Sequence, residues 1–167
     1  MTTIISGSTG VDRVHTDAVT PAHITSGHMP TGSVLQVKFA TYNTNFQTTA
    51  NAWVNTGLSV TLTPRSVNSQ VLVAWNQQAY ISTGATWEAY KSRLLRDGTA
   101  VWTDPYSLSH AGHTMVHMTK DGDSYLDSPN TTDSVTYTVQ VLPAYTANMS
   151  FNHGTATSQI QALEVAG

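Results

Sequence analysis

Apolar residues recur at every second position from Gly32 to the end of the chain, in blocks separated by turn residues. This alternation is typical of strands that bury one face, and a series of such blocks indicates a β-sandwich or a β-barrel. The pattern predicts about nine strands, drawn from the segments 34–40, 53–63, 70–78, 87–95, 99–103, 113–119, 124–126, 134–142, 148–152 and 159–165. No long segment shows the 3.6-residue period of a helix, so little helix is expected.

Two Asp-Gly pairs, at 97–98 and 121–122, lie between apolar blocks and predict two tight hairpins. In the first block, Leu35, Val37 and Phe39 share one face of the strand. Antiparallel strands with long connections fit a jelly roll better than a meander. The predicted fold is therefore all-β, an antiparallel β-sandwich of jelly-roll type.

The first 31 residues have a different composition from the rest. They contain Gly, Ser, Thr, His and two prolines with only isolated aliphatic residues, so they cannot close a core of their own. We predict an extended N-terminal anchoring arm over 1–31 and a β-sandwich knob domain over 32–167. The apolar residues of the arm, expected to contact a partner, are Ile4, Ile5, Val11, Val14, Val19 and Ile24.

Charge is scarce in this chain. Charged residues make up 10% of it and the net charge is −3, whereas a typical soluble domain is about 25% charged. The seven Lys and Arg residues are scattered singly, so neither nucleic acid nor membrane insertion is expected. Ser and Thr number 43 against two Glu and three Lys, which is a strand-forming composition. The absence of Cys excludes disulfides and thiolate metal sites.

The histidines are the candidates for metal chemistry. His113 and His117 would share a strand face about 13 Å apart, too far for one ion, so they are candidates only where an oligomer axis brings copies together. Hydrogen bonding at a surface or an interface is the simpler interpretation. Asp121, Asp123 and Asp127 lack the remaining ligands of a calcium loop and are attributed to turn chemistry. No carboxylate pair or nucleophile motif is evident, so we predict no catalytic residue, no cofactor and no enzyme activity.

The aromatic residues are the candidates for ligand contact. Trp75 and Tyr137 lie in strongly apolar blocks and are expected in the core. Tyr106 and Tyr145 lie in Pro-containing stretches, and together with Trp102 they are the predicted receptor contacts. Such rings stack on sugars or anchor protein interfaces.

Several short motifs resemble those of tailed-phage virion proteins. Residues 3–11 (TIISGSTGV) look like the start of many such proteins, and residues 17–24 (DAVTPAHI) are similar to one repeat unit of phage fibre shafts, with His23 where Lys is usual. Further segments follow the order seen in C-terminal domains of fibre-like proteins from marine and cyanobacterial phages: 32–37, 53–64, 93–99, 126–129 and 135–137. The resemblance implies a homotrimer of jelly-roll subunits similar to the tumour-necrosis-factor fold, fixed to the particle by its arm. It brings no catalytic residues.

We therefore expect a non-enzymatic phage virion structural protein. In this hypothesis a trimeric tail fibre or knob is anchored to other virion proteins through residues 1–31 and exposed for attachment to a host-surface glycan or protein. The alternative is a capsid decoration, cement or head-fibre protein that coats or stabilises the shell. A carbohydrate-binding module and a polysaccharide depolymerase are the other classes. Residues 1–10 do not resemble a secretory signal, so we expect synthesis in the host cytoplasm, release by lysis and location in the virion.

Overall fold

The described part of the chain consists of β-strands and the loops between them, with no helix. The computed structural model describes residues 29–81, 87–104, 108–111, 117–144 and 149–167. Within these ranges there are eleven strands: β1 (Val34–Tyr42), β2 (Phe46–Thr48), β3 (Val54–Leu62), β4 (Gln70–Ile81), β5 (Trp87–Arg96), β6 (Thr99–Thr103), β7 (Leu108–Ala111), β8 (His117–Asp127), β9 (Val135–Ala144), β10 (Met149–Phe151) and β11 (Ser158–Val165). A search of the same ranges finds no helix with the length and apolar character of a membrane span.

The strands form two antiparallel sheets. Sheet A contains β1, β2, β4, β8, β10 and β11, and sheet B contains β3, β5, β6, β7 and β9. Both β10 and β11 pair with the same side of β4, one after the other along that strand. On their far side, β2 pairs with β10 and β1 pairs with β11. In the same way, β6 and β7 pair with successive parts of β5. Each sheet is therefore four strand positions wide.

The order of these positions defines a jelly roll. Counted along the chain, β1 with β2 is position 1, β3, β4 and β5 are positions 2 to 4, β6 with β7 is position 5, β8 and β9 are positions 6 and 7, and β10 with β11 is position 8. These positions follow the order 1-8-3-6 in sheet A and 2-7-4-5 in sheet B. The pairs 1·8, 2·7, 3·6 and 4·5 nest inside one another, as they do when one long antiparallel hairpin is folded over into two sheets. They are β1 with β11, β3 with β9, β4 with β8, and β5 with β6. The predicted β-sandwich is confirmed.

Most predicted segments coincide with strands to within three residues at either end. Sequence reasoning missed β2 and β7, which are three and four residues long and too short to show alternation. The hairpin at Asp97-Gly98 is confirmed. Its two residues have φ of 48° and 85°, as a type I′ turn requires.

The predicted hairpin at Asp121-Gly122 is wrong. Both residues lie inside β8, which runs unbroken beside β4, with Gly122 opposite Asn76. A Cβ atom at position 122 would come within 2.9 Å of the Trp75 carbonyl oxygen. Glycine is therefore favoured there because the neighbouring backbone comes close, and not because the chain turns.

The core lies between the two sheets. Trp75 and Tyr137 belong to it, as predicted, with exposures of 5% and 0%. A smaller apolar cluster around Phe151 lies beside it. The main cluster consists of Leu58, Val60, Leu62, Val71, Val73, Trp75, Leu94, Val135, Tyr137, Val139, Ile160 and Ala162.

A buried carboxylate links the two sheets. Asp127, in β8 of sheet A, accepts hydrogen bonds from Arg96 Nη1 at 2.8 and 3.0 Å and from the Tyr137 hydroxyl at 2.7 Å, both in sheet B. Burial and the contact with the Asp127 carboxylate raise the pKa of Tyr137 well above its usual value, so the hydroxyl stays protonated and donates. The assignment of Asp127 to turn chemistry is therefore wrong.

A second buried carboxylate joins the first and last strands. Glu164, in β11, has no exposed surface. Its Oε1 atom accepts from the Arg65 backbone N–H and its Oε2 atom from the Gln36 side-chain amide, both at 2.6 Å. The same Gln36 amide donates to the Thr63 carbonyl at 2.7 Å. Glu164 thus ties β1 and β11 to the segment that leaves β3.

We predict that Asp127→Ala lowers the free energy of unfolding by about 2–3 kcal/mol, since it leaves Arg96 and the Tyr137 hydroxyl without their acceptor. Urea unfolding at matched protein concentration measures the change. Asp133→Ala is the control, because Asp133 is an exposed loop residue and its loss is expected to cost less than about 0.5 kcal/mol. Equal effects of the two substitutions would contradict the proposed link.

Candidate functional site

The outward side of sheet A carries no charge over three consecutive rows. Side chains alternate between the faces of a strand, and the rows that contain Val73 and Trp75 point into the core. The rows between them point outward and comprise Val37, Leu163, Leu72 and Leu126, then Phe39, Gln161, Ala74 and Ser124, then Thr41, Gln159, Asn76 and Gly122. We call these twelve residues the uncharged face.

The first row of the uncharged face is apolar from one sheet edge to the other. Its end residues, Val37 in β1 and Leu126 in β8, are 56% and 48% exposed, and Phe39 in the second row is 59% exposed. Leu72 and Leu163 between the edges are half-buried. Val37 and Phe39 therefore share one face of β1, as predicted. That face points outward, away from the core.

A shallow hollow lies within the uncharged face. Phe39, Asn76, Gln159 and Gln161 contribute to its walls. The Asn76 Oδ1 atom is buried and has no hydrogen-bond partner among the described residues. A buried amide oxygen without a donor is costly.

Charge reappears at the two edges of sheet A, with opposite signs. Lys38 lies on β1 in the row of Val73, and Asp123 lies on β8 in the row of Trp75, so both alternate with the residues of the uncharged face. Both residues are exposed. At these positions the two edge strands of sheet A therefore carry opposite charges.

The residues predicted as sites do not come together in the described structure. Trp102 packs against the core, with its ring edge-on to Trp75 at a centroid distance of 5.2 Å. Tyr106, Tyr145, His113 and the six apolar arm residues lie outside the described residues. His117 begins β8, where the structure describes its backbone only. In the described ranges, no three His, Asp or Glu side chains are placed to hold a metal ion.

Sequence reasoning missed the uncharged face, although one signal for it was present. The run VLVAW at residues 71–75 is continuously apolar, and such runs are typical of strands covered on both faces. Sheet B packs against one face of β4. The apolar residues on the other face are therefore expected to pack against another surface.

Comparison with known proteins gives a likeness to solved structures only. No family model and no curated protein matches the chain. It is similar to a structure of infectious bursal disease virus, Gx strain (TM-score 0.45, 12% identity, 81% of this chain and 34% of that chain). It is also similar to the VP2 subviral particle of infectious bursal disease virus (TM-score 0.44, 12% identity, 81% and 34%).

A family 35 carbohydrate binding module from Clostridium thermocellum matches with a TM-score of 0.24 and 11% identity, over 73% of this chain and 90% of that chain. This chain spans about a third of the length of the viral proteins it matches. The assignment of the fold rests on the strand pairing of the chain itself.

Proposed function

We propose that the protein is a non-enzymatic virion structural protein, a homotrimer assembled through the uncharged face. Residues 1–31 anchor it to the particle, and the knob is exposed for attachment to the host surface. The observation that carries the proposal is the uncharged face of sheet A, twelve outward positions without a single charged side chain. The sequence resemblance to phage fibre-like proteins supplies the virion setting and the number of subunits.

The size of the uncharged face suits a subunit contact. Four strands by three rows cover about 400 Å² at the usual strand spacing and rise. An area of that size matches the centre of a standard interface of about 800 Å² per partner. Its amides and hydroxyls provide the hydrogen bonds that interfaces also use.

The edges of sheet A favour a closed ring over a two-fold dimer. In a ring, the β1 edge of one copy meets the β8 edge of the next, a heterologous contact that closes after a fixed rotation. Such a contact places Val37 and Phe39 against Leu126, and brings Lys38 near Asp123 of the next copy. Apolar side chains and opposite charges then match in the same interface.

We predict that Val37→Asp converts the trimer into monomers. Val37 is 56% exposed in the isolated subunit, so a charge there costs the folded subunit little, whereas burying it in the interface is expensive. Sedimentation velocity at micromolar concentration, with circular dichroism to monitor folding, measures the outcome. Ser59→Asp, which puts the same charge on an exposed outward position of sheet B, is expected to remain trimeric. A wild-type protein that sediments as a monomer would overturn the proposal.

A charge exchange tests how the edges meet. Lys38→Glu and Asp123→Lys are each expected to weaken association by about two- to fivefold, the usual worth of an exposed ion pair. The double variant is expected to recover the wild-type affinity, because every edge contact then carries the reversed pair. A double variant weaker than both single variants contradicts the contact between β1 and β8.

Immunogold labelling of whole virions tests the position of the knob. A fibre or adhesin predicts label around the tail, whereas the alternative, a capsid decoration or head-fibre protein, predicts label over the head. Particles without label at either place would overturn the virion assignment.

A further inference from the structure

Three polar side chains form a hydrogen-bonded ladder across the outward side of sheet B. Asn55 in β3, Gln140 in β9 and Arg93 in β5 lie opposite one another on adjacent strands. Gln140 Oε1 accepts from Arg93 Nε at 2.7 Å and from Nη2 at 2.5 Å, and Gln140 Nε2 donates to Asn55 Oδ1 at 2.7 Å. The ladder fixes the orientation of three planar groups on a surface.

An aromatic ring is stacked on the cationic end of the ladder. The Arg93 guanidinium carbon lies 4.3 Å from the centroid of the Trp53 ring. Trp53 directly precedes β3, two residues before Asn55 and so on the same side of the sheet. A contact between a guanidinium and an aromatic face is favourable, and it holds the ring over the sheet.

The charge on this part of sheet B is positive. When the pairing of β3 with β9 is continued by one residue, Trp53 lies opposite Leu142. Leu142 pairs with Lys91 on β5. In the rows of Trp53 and Asn55, the charged side chains on these three strands are therefore Lys91 and Arg93, both cations. The uncharged face of sheet A offers no such group.

We propose that Trp53, Asn55, Gln140 and Arg93 form a binding site for an acidic glycan. Sugars are recognised by ring stacking and by planar amide and guanidinium donors. The ladder uses one Nε and one Nη2 hydrogen of Arg93, and the other planar edge, formed by Nη1 and the second Nη2 hydrogen, matches the geometry of a carboxylate. Asn55 is exposed and carries two N–H donors in addition to the oxygen used in the ladder. Since the ladder already holds these groups in place, less conformational entropy is lost on binding.

This site lies on the opposite side of the sandwich from the uncharged face. The inference deepens the proposed attachment role and rests on it for its biological use, but the binding itself does not require the trimer contact. Substitutions in the ladder are expected to leave the sedimentation coefficient unchanged. A loss of binding in a protein that remains trimeric therefore concerns this site alone.

Affinity electrophoresis of the full chain tests the proposal. Native gels containing alginate, a polyuronate, are compared with gels containing neutral dextran. The wild-type protein is expected to be retarded by alginate and not by dextran. Because the net charge is −3, general attraction to a polyanion does not explain such a result. Retardation by neither polymer, or equal retardation by both, would overturn the proposal.

Variants assign the effect to the ladder. Trp53→Ala and Arg93→Ala are each expected to weaken alginate binding by about fivefold or more, as the loss of an anchoring side chain usually does. Arg93→Lys keeps the charge and loses the planar fork, so it is expected to weaken binding as well. Ser59→Ala, an exposed position on the same side of sheet B, is the control and is expected to bind normally. Wild-type retardation of Trp53→Ala, Arg93→Ala and Arg93→Lys, in protein that still folds by circular dichroism, would contradict the site.

Discussion

Sheet A carries apolar side chains on both of its faces, and the described residues cover only one of these faces. In β4, Val71, Val73 and Trp75 point into the core against sheet B, while Leu72 and Ala74 point outward between them. An amphipathic antiparallel strand would place polar residues at the outward positions, because one side of such a sheet meets water. In its first outward row, sheet A is instead apolar from β1 to β8. The need for a second cover on sheet A leads to the proposed trimer.

An apolar sequence on both faces also weakens the usual control of strand register. A slip of one residue exchanges the two faces of a strand, and burial of apolar side chains opposes the slip only when the faces differ. Here the buried polar side chains supply the difference. Glu164 finds its donors, and Asp127 finds Arg96 and Tyr137, only when those carboxylates point between the sheets. Two buried acids in a chain poor in charge therefore help to specify which face is the core.

The alternation of apolar residues was sufficient to predict the long strands and the sandwich, because strands such as β3 and β11 bury every second residue. The Asp-Gly rule succeeded at 97–98, where both residues have positive φ, and failed at 121–122. A dipeptide carries no information about the neighbouring backbone, and it is the Trp75 carbonyl that explains Gly122. The ladder was hidden for the same reason: Arg93 and Gln140 are 47 residues apart in the chain and meet only through strand pairing.

The two outward faces of the sandwich divide the proposed functions between them. A trimer that buries the face of sheet A turns sheet B of every subunit away from the axis, so three copies of the ladder are exposed on one knob. Exposed glycan contacts on single sheets are individually weak, but linked copies raise the effective concentration of the second and third contacts, provided that the receptor can reach them together. Particles that carry many knobs extend the same effect. Firm attachment then requires no deep pocket, only a modest site repeated by symmetry.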